Sequence, residues 1–199
     1  MLTAIVIVLL LIACMVAAGY FFEKKYQKKS EKKSNGLPLK VEEYLAKDFQ
    51  DVISSHRDET TYWYCSIIEL SDYLDSDSTL YVNNLSNVFQ NVFETEGGAD
   101  TFVITYNHTE TEDKKTTVHD FWVEDNSLNV LDPRITFSEA LEKLMASNYP
   151  KPHSKQCVLR NQVGPNAANT QYIFGNTESV LFVDSVTGEV SDINPFFNN

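Results

Sequence analysis

Apolar residues at Val41, Tyr44, Leu45, Phe49, Val52 and Ile53 recur at the helical period, with Glu42, Glu43, Lys47 and Asp51 on the other side. They predict a core-facing helix. Tyr62 to Leu70, rich in aromatic and β-branched residues, reads as a strand, with Tyr62, Tyr64 and Ile68 on one face and Trp63, Cys65 and Ile67 on the other. Both faces are apolar, which predicts burial on two sides. Leu85, Val88, Phe89, Val92 and Phe93 form a second helical stripe, ended by Gly97-Gly98. Thr101 to His108 and Thr117 to Val123 then read as a hairpin across the polar stretch Glu110 to Lys115. With the turn centred on Glu112 and Asp113, Phe102 faces Val123, Ile104 faces Phe121 and Tyr106 faces His119.

Ile135 to Tyr149 is again amphipathic at the helical period. Beyond it, Val180, Phe182 and Val183 lead into Asp184-Ser185-Val186-Thr187-Gly188 and emerge as Glu189 to Ile193: a strand, a tight turn and a strand, with Gly188 free to take positive φ. The unit is a helix laid on an antiparallel sheet. An echo of it lies fifty-two residues earlier, where Leu85-Ser86-x-Val88-Phe89-x-x-Val92 matches Phe137-Ser138-x-Ala140-Leu141-x-x-Leu144. Phe121 to Asp125 likewise parallels Leu181 to Asp184, with an insertion around Gly164 to Thr170 taking up the difference. The expected fold is therefore α+β in tandem, with a first unit at 41–133 carrying an extra N-terminal helix and a second unit at 134–199.

Leu2 to Phe22 holds twenty-one residues without a charge. At about 1.5 Å rise per residue that length spans a hydrocarbon core of roughly 30 Å, so 1–22 reads as a transmembrane helix with Tyr20, Phe21 and Phe22 at the interface. A competing reading is a lipoprotein signal at Leu11-Ile12-Ala13-Cys14, although the apolar run continues past Cys14 where a polar tether should begin. Residues 23–40 form a basic linker that ends at Ser34-Asn35-Gly36-Leu37-Pro38. No lysine precedes the apolar run and six fall between Lys24 and Lys33, which places the following domain in the cytoplasm by the positive-inside rule and draws these lysines to anionic headgroups.

Charge changes the picture of the partners. Residues 1–40 carry seven Lys against two Glu, a balance of +5, whereas residues 41–199 carry nine Lys and Arg against twenty-six carboxylates, a balance of −17. Such a domain repels phosphate backbones, so nucleic acid is excluded as its ligand. Of the three cysteines, only Cys65 and Cys157 lie in the domain, where one disulfide and two buried thiols remain open; neither has a CxxC partner.

Ile135-Thr136-Phe137-Ser138-Glu139-Ala140-Leu141, followed by Phe182-Val183-Asp184-Ser185-Val186-Thr187-Gly188-Glu189-Val190, resembles the PepSY-like family. The likeness covers about sixty residues. It implies a small cystatin-like α+β unit, membrane-tethered and sometimes in tandem, that binds a partner or regulates a peptidase. Domains of that kind usually lie outside the cytoplasm, so the resemblance and the lysines point to opposite sides of the membrane.

Candidate chemistry is sparse. His56, His108, His119 and His153 include no pair with the i, i+4 spacing of a helical zinc motif. In the expected hairpin register His108 and His119 share a face two residues apart, near Glu110, which sets up a metal-assisted hydrolase as the rival to a binding protein. His119 and Asp120, adjacent on a strand, point to opposite faces and cannot serve one atom. Asp72, Asp75 and Asp77 lack the Gly and terminal Glu of a calcium loop. Asn84-Leu85-Ser86 and Asn107-His108-Thr109 fit a glycosylation pattern, with Asn84 doubling as a helix N-cap. Tyr62, Trp63 and Tyr64 are expected in the core. No residue is assigned a catalytic, metal or cofactor role, and a non-enzymatic protein that presents its domain to a protein or peptide, through an exposed sheet edge, is the expectation. A scaffold subunit of an envelope complex is the third possibility.

Overall fold

Alternation along a strand fixes which residues meet a covering helix, and in this chain one of the rows so formed runs without a break from one end of the sheet to the other. The computed structural model describes residues 36–56, 59–95, 98–119, 133–161 and 169–193, within the compact unit Asn35–Asn199. The elements are α1 (Val41–Ser55), β1 (Thr60–Leu70), β2 (Val82–Thr95), β3 (Gly98–Thr109), β4 (Asp113–His119), α2 (Phe137–Ala146), β5 (Gln156–Arg160), β6 (Gln171–Gly175), β7 (Val180–Asp184) and β8 (Val190–Ser191). The eight strands form one antiparallel sheet in the order β4-β3-β2-β1-β5-β6-β7-β8. The fold is α+β, and its element order is a helix and a four-stranded meander, twice over. The first strands of the two meanders, β1 and β5, pair at the centre of the sheet.

One row passes through His108, Leu85, Ile68, Cys157, Phe174 and Leu181, each residue opposite the next on the neighbouring strand and all of them buried. The next runs from Lys115 through Tyr106, Asn87, Ser66, Leu159, Tyr172 and Val183 to Val190. Val41, Leu45 and Val52 of α1 and Phe137, Ala140, Leu141 and Leu144 of α2 join the apolar members of these rows in a single core. Both helices therefore lie on the same face.

Three expected elements differ from what the structure contains. The stripe Leu85 to Phe93 is strand β2, so the helix expected there and its alignment with Phe137 to Leu144 are overturned, and α1 is the helix that corresponds to α2 in element order. Asn84 accordingly caps no helix. The β3–β4 hairpin pairs Phe102 with His119, Ile104 with Thr117 and His108 with Asp113, tighter than the expected register because the chain turns over Glu110 and Thr111 rather than Glu112 and Asp113. An even shift preserves facing, so Phe102, Ile104 and Tyr106 still share a face. In β1 a bulge between Trp63 and Cys65 transfers the register, and Trp63 joins Ser66 and Ile68 on the helix side, not Cys65 and Ile67. Phe121 to Asp125, Asp120 and residues 164–168 of the expected insertion Gly164 to Thr170 lie outside the described residues.

No helix among the described residues is long and apolar enough to cross a membrane, and the segment expected to do so, 2–22, lies outside them together with Cys14 and the lysines 24–33. Leu37, assigned from sequence to the linker, pairs with Val82 through two backbone hydrogen bonds of 2.7 and 3.2 Å and enters the core.

The second half is closed by local capping. Thr136 and Glu139 form a reciprocal capping box at the start of α2. At the β7–β8 turn Gly188 has φ 71°, the left-handed conformation its position requires. Asp184 organises that turn, its carboxylate accepting the backbone N–H groups of Val186 and Thr187 and the side-chain amides of Asn169 and Gln171. Burial pushes this carboxyl up, but the four donors together outweigh it and hold the group below its ordinary 3.8. A lowered folded value means the stabilisation is present above the unfolded value and lost as pH falls through the folded one. Asp184→Asn is expected to remove about 1–2 kcal/mol at pH 7 and to flatten the stability loss below pH 4, read as urea midpoints at pH 3 and 7. An unchanged acid slope would mean that Asp184 does not carry it.

Candidate functional site

Every fourth or third residue of α1 turns to the sheet: Val41, Leu45, Asp48 and Val52 are all buried. Asp48 is thus a carboxylate on an apolar stripe, 2% exposed, and an unpaired charge there costs several kcal/mol. Its Oδ2 accepts from Asn87 Nδ2 at 2.7 Å and lies 2.7 Å from His108 Nε2. The other ring nitrogen, Nδ1, is 2.8 Å from Asp113 Oδ1 at the sheet edge. A carboxylate only accepts, so both nitrogens of His108 lie against acceptors. Behind Asn87 the chain continues inward: Ser66 Oγ donates to Asn87 Oδ1 at 2.6 Å, and Trp63 Nε1 donates to Ser66 Oγ at 3.3 Å. Tyr44 packs on the His108 ring at a centroid distance of 4.8 Å.

Above this chain a cleft of about 560 Å³ opens between α1 and the β3–β4 hairpin, with Lys47, Lys114 and Lys115 at its rim. Tyr106 donates its hydroxyl to Asp51 Oδ2, which also receives Lys115 Nζ at 3.1 Å, and the Lys115 ammonium sits 5.0 Å over the Tyr106 ring. Tyr106 and then Lys115, by hydrogen bonding, hold the Asp51 carboxyl below its usual range; burial, followed by Asp51, pushes the Tyr106 phenol up. Lys47 Nζ is 3.9 Å from Asp113 Oδ2.

The geometry separates the expected metal pair. His108 lies opposite Asp113 and His119 opposite Phe102, six residues apart along β3, which at about 3.4 Å per residue is roughly 20 Å. The expected two-residue spacing came from the register that the real turn overturns. Each of the four histidines instead has its own carboxylate: His56 with Glu59 at 3.0 Å, His119 with Asp100 at 2.6 Å, His153 with Asp75 at 3.0 Å, and His108 with two. Among the described residues no group of three His, Cys, Asp or Glu is arranged to hold a metal. His153 also stacks on Tyr73 at 4.0 Å, and Asp72 accepts the Tyr73 N–H at 2.8 Å, so the acidic loop is built from its own contacts. Asn107, in the second glycosylation pattern, accepts Ser86 Oγ at 2.6 Å.

Cys65 and Cys157 are buried and are not joined in a disulfide. Cys157 pairs with Ile68 on the helix side, three residues from Cys65, so the two point to opposite faces and cannot bond; burial pushes the Cys157 thiol well up, where it stays protonated. Trp63 is wholly buried, whereas Tyr62 and Tyr64 are half-buried, Tyr64 under the Arg160 guanidinium at 5.7 Å.

Asp48 and Asn87 went unread in the sequence. The signal was present for Asp48, which follows Val41 by seven residues and precedes Val52 by four, squarely on the buried stripe. No family model, curated protein or solved structure matches this chain.

Proposed function

We propose that this chain is a membrane-anchored, non-enzymatic binding or regulatory protein whose α+β domain, two PepSY-like units sharing one sheet, docks an extended segment of a protein partner. Residues 2–22 supply the anchor, and Lys24 to Lys33 rest on anionic headgroups. The observation that carries the docking is strand β4: it ends the sheet, and all seven of its residues are exposed. The opposite end, β8, is only two residues long and offers little to pair with. An exposed strand edge binds a peptide through main-chain hydrogen bonds. His108 supports the same reading, because both its nitrogens are engaged by carboxylates and it has no lone pair turned to the cleft for acid–base work or metal binding. By the resemblance the partner is a protein or peptide, and the role it implies is regulation of a peptidase.

A photo-crosslinking residue at Val118, 52% exposed on β4, tests this in cells producing the full chain. A discrete adduct is expected from position 118 and none from Met145, which is similarly exposed on α2. Equal adducts at both positions, or none at 118, would remove β4 as the docking edge. Protease accessibility of a C-terminal tag in intact cells, against permeabilised controls, then fixes the side on which that partner is sought.

A further inference from the structure

Building on the sheet-edge reading, we infer that β4 accepts an acidic, β-branched strand, and that two adjacent carboxylates of the partner are read by Lys114 and Lys115. The backbone sets the geometry. Thr109 N–H donates to Glu112 O at 2.9 Å, and bonded pairs recur at every second position of an antiparallel ladder. Asn107–Lys114, Thr105–Thr116 and Val103–Val118 are then the bonded pairs, so the N–H and C=O of Lys115 and Thr117 point away from β3 toward an incoming strand.

Charge selects the occupant. Residues 41–199 hold only nine cations against twenty-six carboxylates, yet two of the nine, Lys114 and Lys115, stand side by side on β4 against a single carboxylate of that strand, Asp113. An acidic segment is repelled by the rest of the domain and attracted here. Consecutive strand residues face opposite sides, so Lys115 stands on the helix side, near Asp51, and Lys114 on the other. A partner with carboxylates at two adjacent positions meets both at the cross-strand distance of about 5 Å. Next along β4 come Thr116, Thr117 and Val118, which favour threonine and valine opposite them. Lysines on an edge also guard it against unselective pairing, and a second copy of this acidic domain is kept off by its own charge; an acidic strand lifts the guard for that partner alone.

The test uses the full chain in detergent and a labelled synthetic peptide of about eight residues, two adjacent glutamates followed by alternating valine and threonine, with a counterpart carrying lysines in place of the glutamates. Anisotropy is expected to show the glutamate peptide binding at least about tenfold tighter, with amide exchange slowed at Lys115 and Thr117. Thr117→Pro removes an N–H that faces outward and leaves the β3 ladder intact, a position where an edge strand tolerates proline. It should weaken the glutamate peptide at least about tenfold with an unchanged circular dichroism spectrum. Lys114→Gln with Lys115→Gln should abolish the preference between peptides and keep the fold.

Three results would overturn the inference: equal affinity for the two peptides, binding untouched by Thr117→Pro, or an edge occupied instead by a second copy or by phosphatidylserine vesicles that displace the peptide. Equal affinity combined with sensitivity to Thr117→Pro would sink only the acidic partner and leave edge docking standing. Insensitivity to Thr117→Pro, together with no adduct at Val118, would sink edge docking itself.

Discussion

Asp48→Ala is expected to destabilise the domain by about 3–5 kcal/mol, because it removes the one atom that both Asn87 and His108 address in the interior. Two donors would be stranded at once. Asn87 is wholly buried and His108 is 2% exposed, so water cannot replace the lost acceptor without opening the core between α1 and β2. Asp48→Asn, which keeps an oxygen in place and removes only the charge, is expected to cost clearly less. The effect should also spread along the chain of bonds: with Asn87 released, Ser66 and Trp63 lose the order of their contacts, and the indole of Trp63 should report it. Urea titration followed by tryptophan fluorescence measures the loss. A midpoint shift equivalent to less than about 1 kcal/mol would mean that α1 is held by its apolar stripe alone and that the polar chain is incidental.

The two halves share an order of elements and differ in what they turn to their helix. In the row that crosses all eight strands, the four residues under α1 and the hairpin are Lys115, Tyr106, Asn87 and Ser66, and the four beyond the centre are Leu159, Tyr172, Val183 and Val190. The first half is wired by a chain of side-chain hydrogen bonds, and the second is apolar but for the Tyr172 hydroxyl, which donates to Glu42 and to the Ile135 carbonyl. A buried polar chain fixes register where an apolar face would allow slippage, and here it pins the hairpin that carries β4 to α1 through Asp113, His108 and Asp48. The β4 edge is thus held from the interior.

That asymmetry decides how much of the fold was legible. Helix α2 and the β7–β8 hairpin were readable because their buried faces are purely apolar and their ends are marked by Thr136, Glu139 and Gly188. Strand β2 was not. Its helix-facing positions run Leu85, Asn87, Phe89, Asn91, and the two asparagines, both wholly buried, interrupt the period of two; Val88 and Val92 on the other face then complete a false period of three and four. The same asparagine that hid the strand belongs to the site, so the misread element and the missed site have one cause. The hairpin register failed for a smaller reason: a polar stretch shows that a turn exists, and only the bond between Thr109 and Glu112 locates it. His108 and His119 were legible as residues, and their separation was hidden in that register.

Phe137→Ala should cost about 3–5 kcal/mol and should be felt in both halves of the molecule. Phe137 opens α2, is wholly buried, and packs against Phe174 and Tyr172 with ring centroids 5.9 and 6.0 Å away. Truncation leaves a cavity between the helix and β6 that the rigid sheet cannot collapse around. Phe137→Leu, which refills most of it, should cost about 1–2 kcal/mol. The Phe137 N–H also donates to Glu42 of α1, whose carboxylate accepts the Tyr172 hydroxyl at 3.0 Å, so the two helices and β6 meet at this point. With one sheet paired through β1 and β5 and one core beneath both helices, unfolding should be a single transition. In a Trp122→Phe background Trp63 is the sole indole, and it lies in the first half, on β1. Its fluorescence midpoint should therefore fall with Phe137→Ala by as much as the far-ultraviolet circular dichroism does. If the dichroism shifts and Trp63 does not, the halves unfold separately and the shared sheet does not couple them.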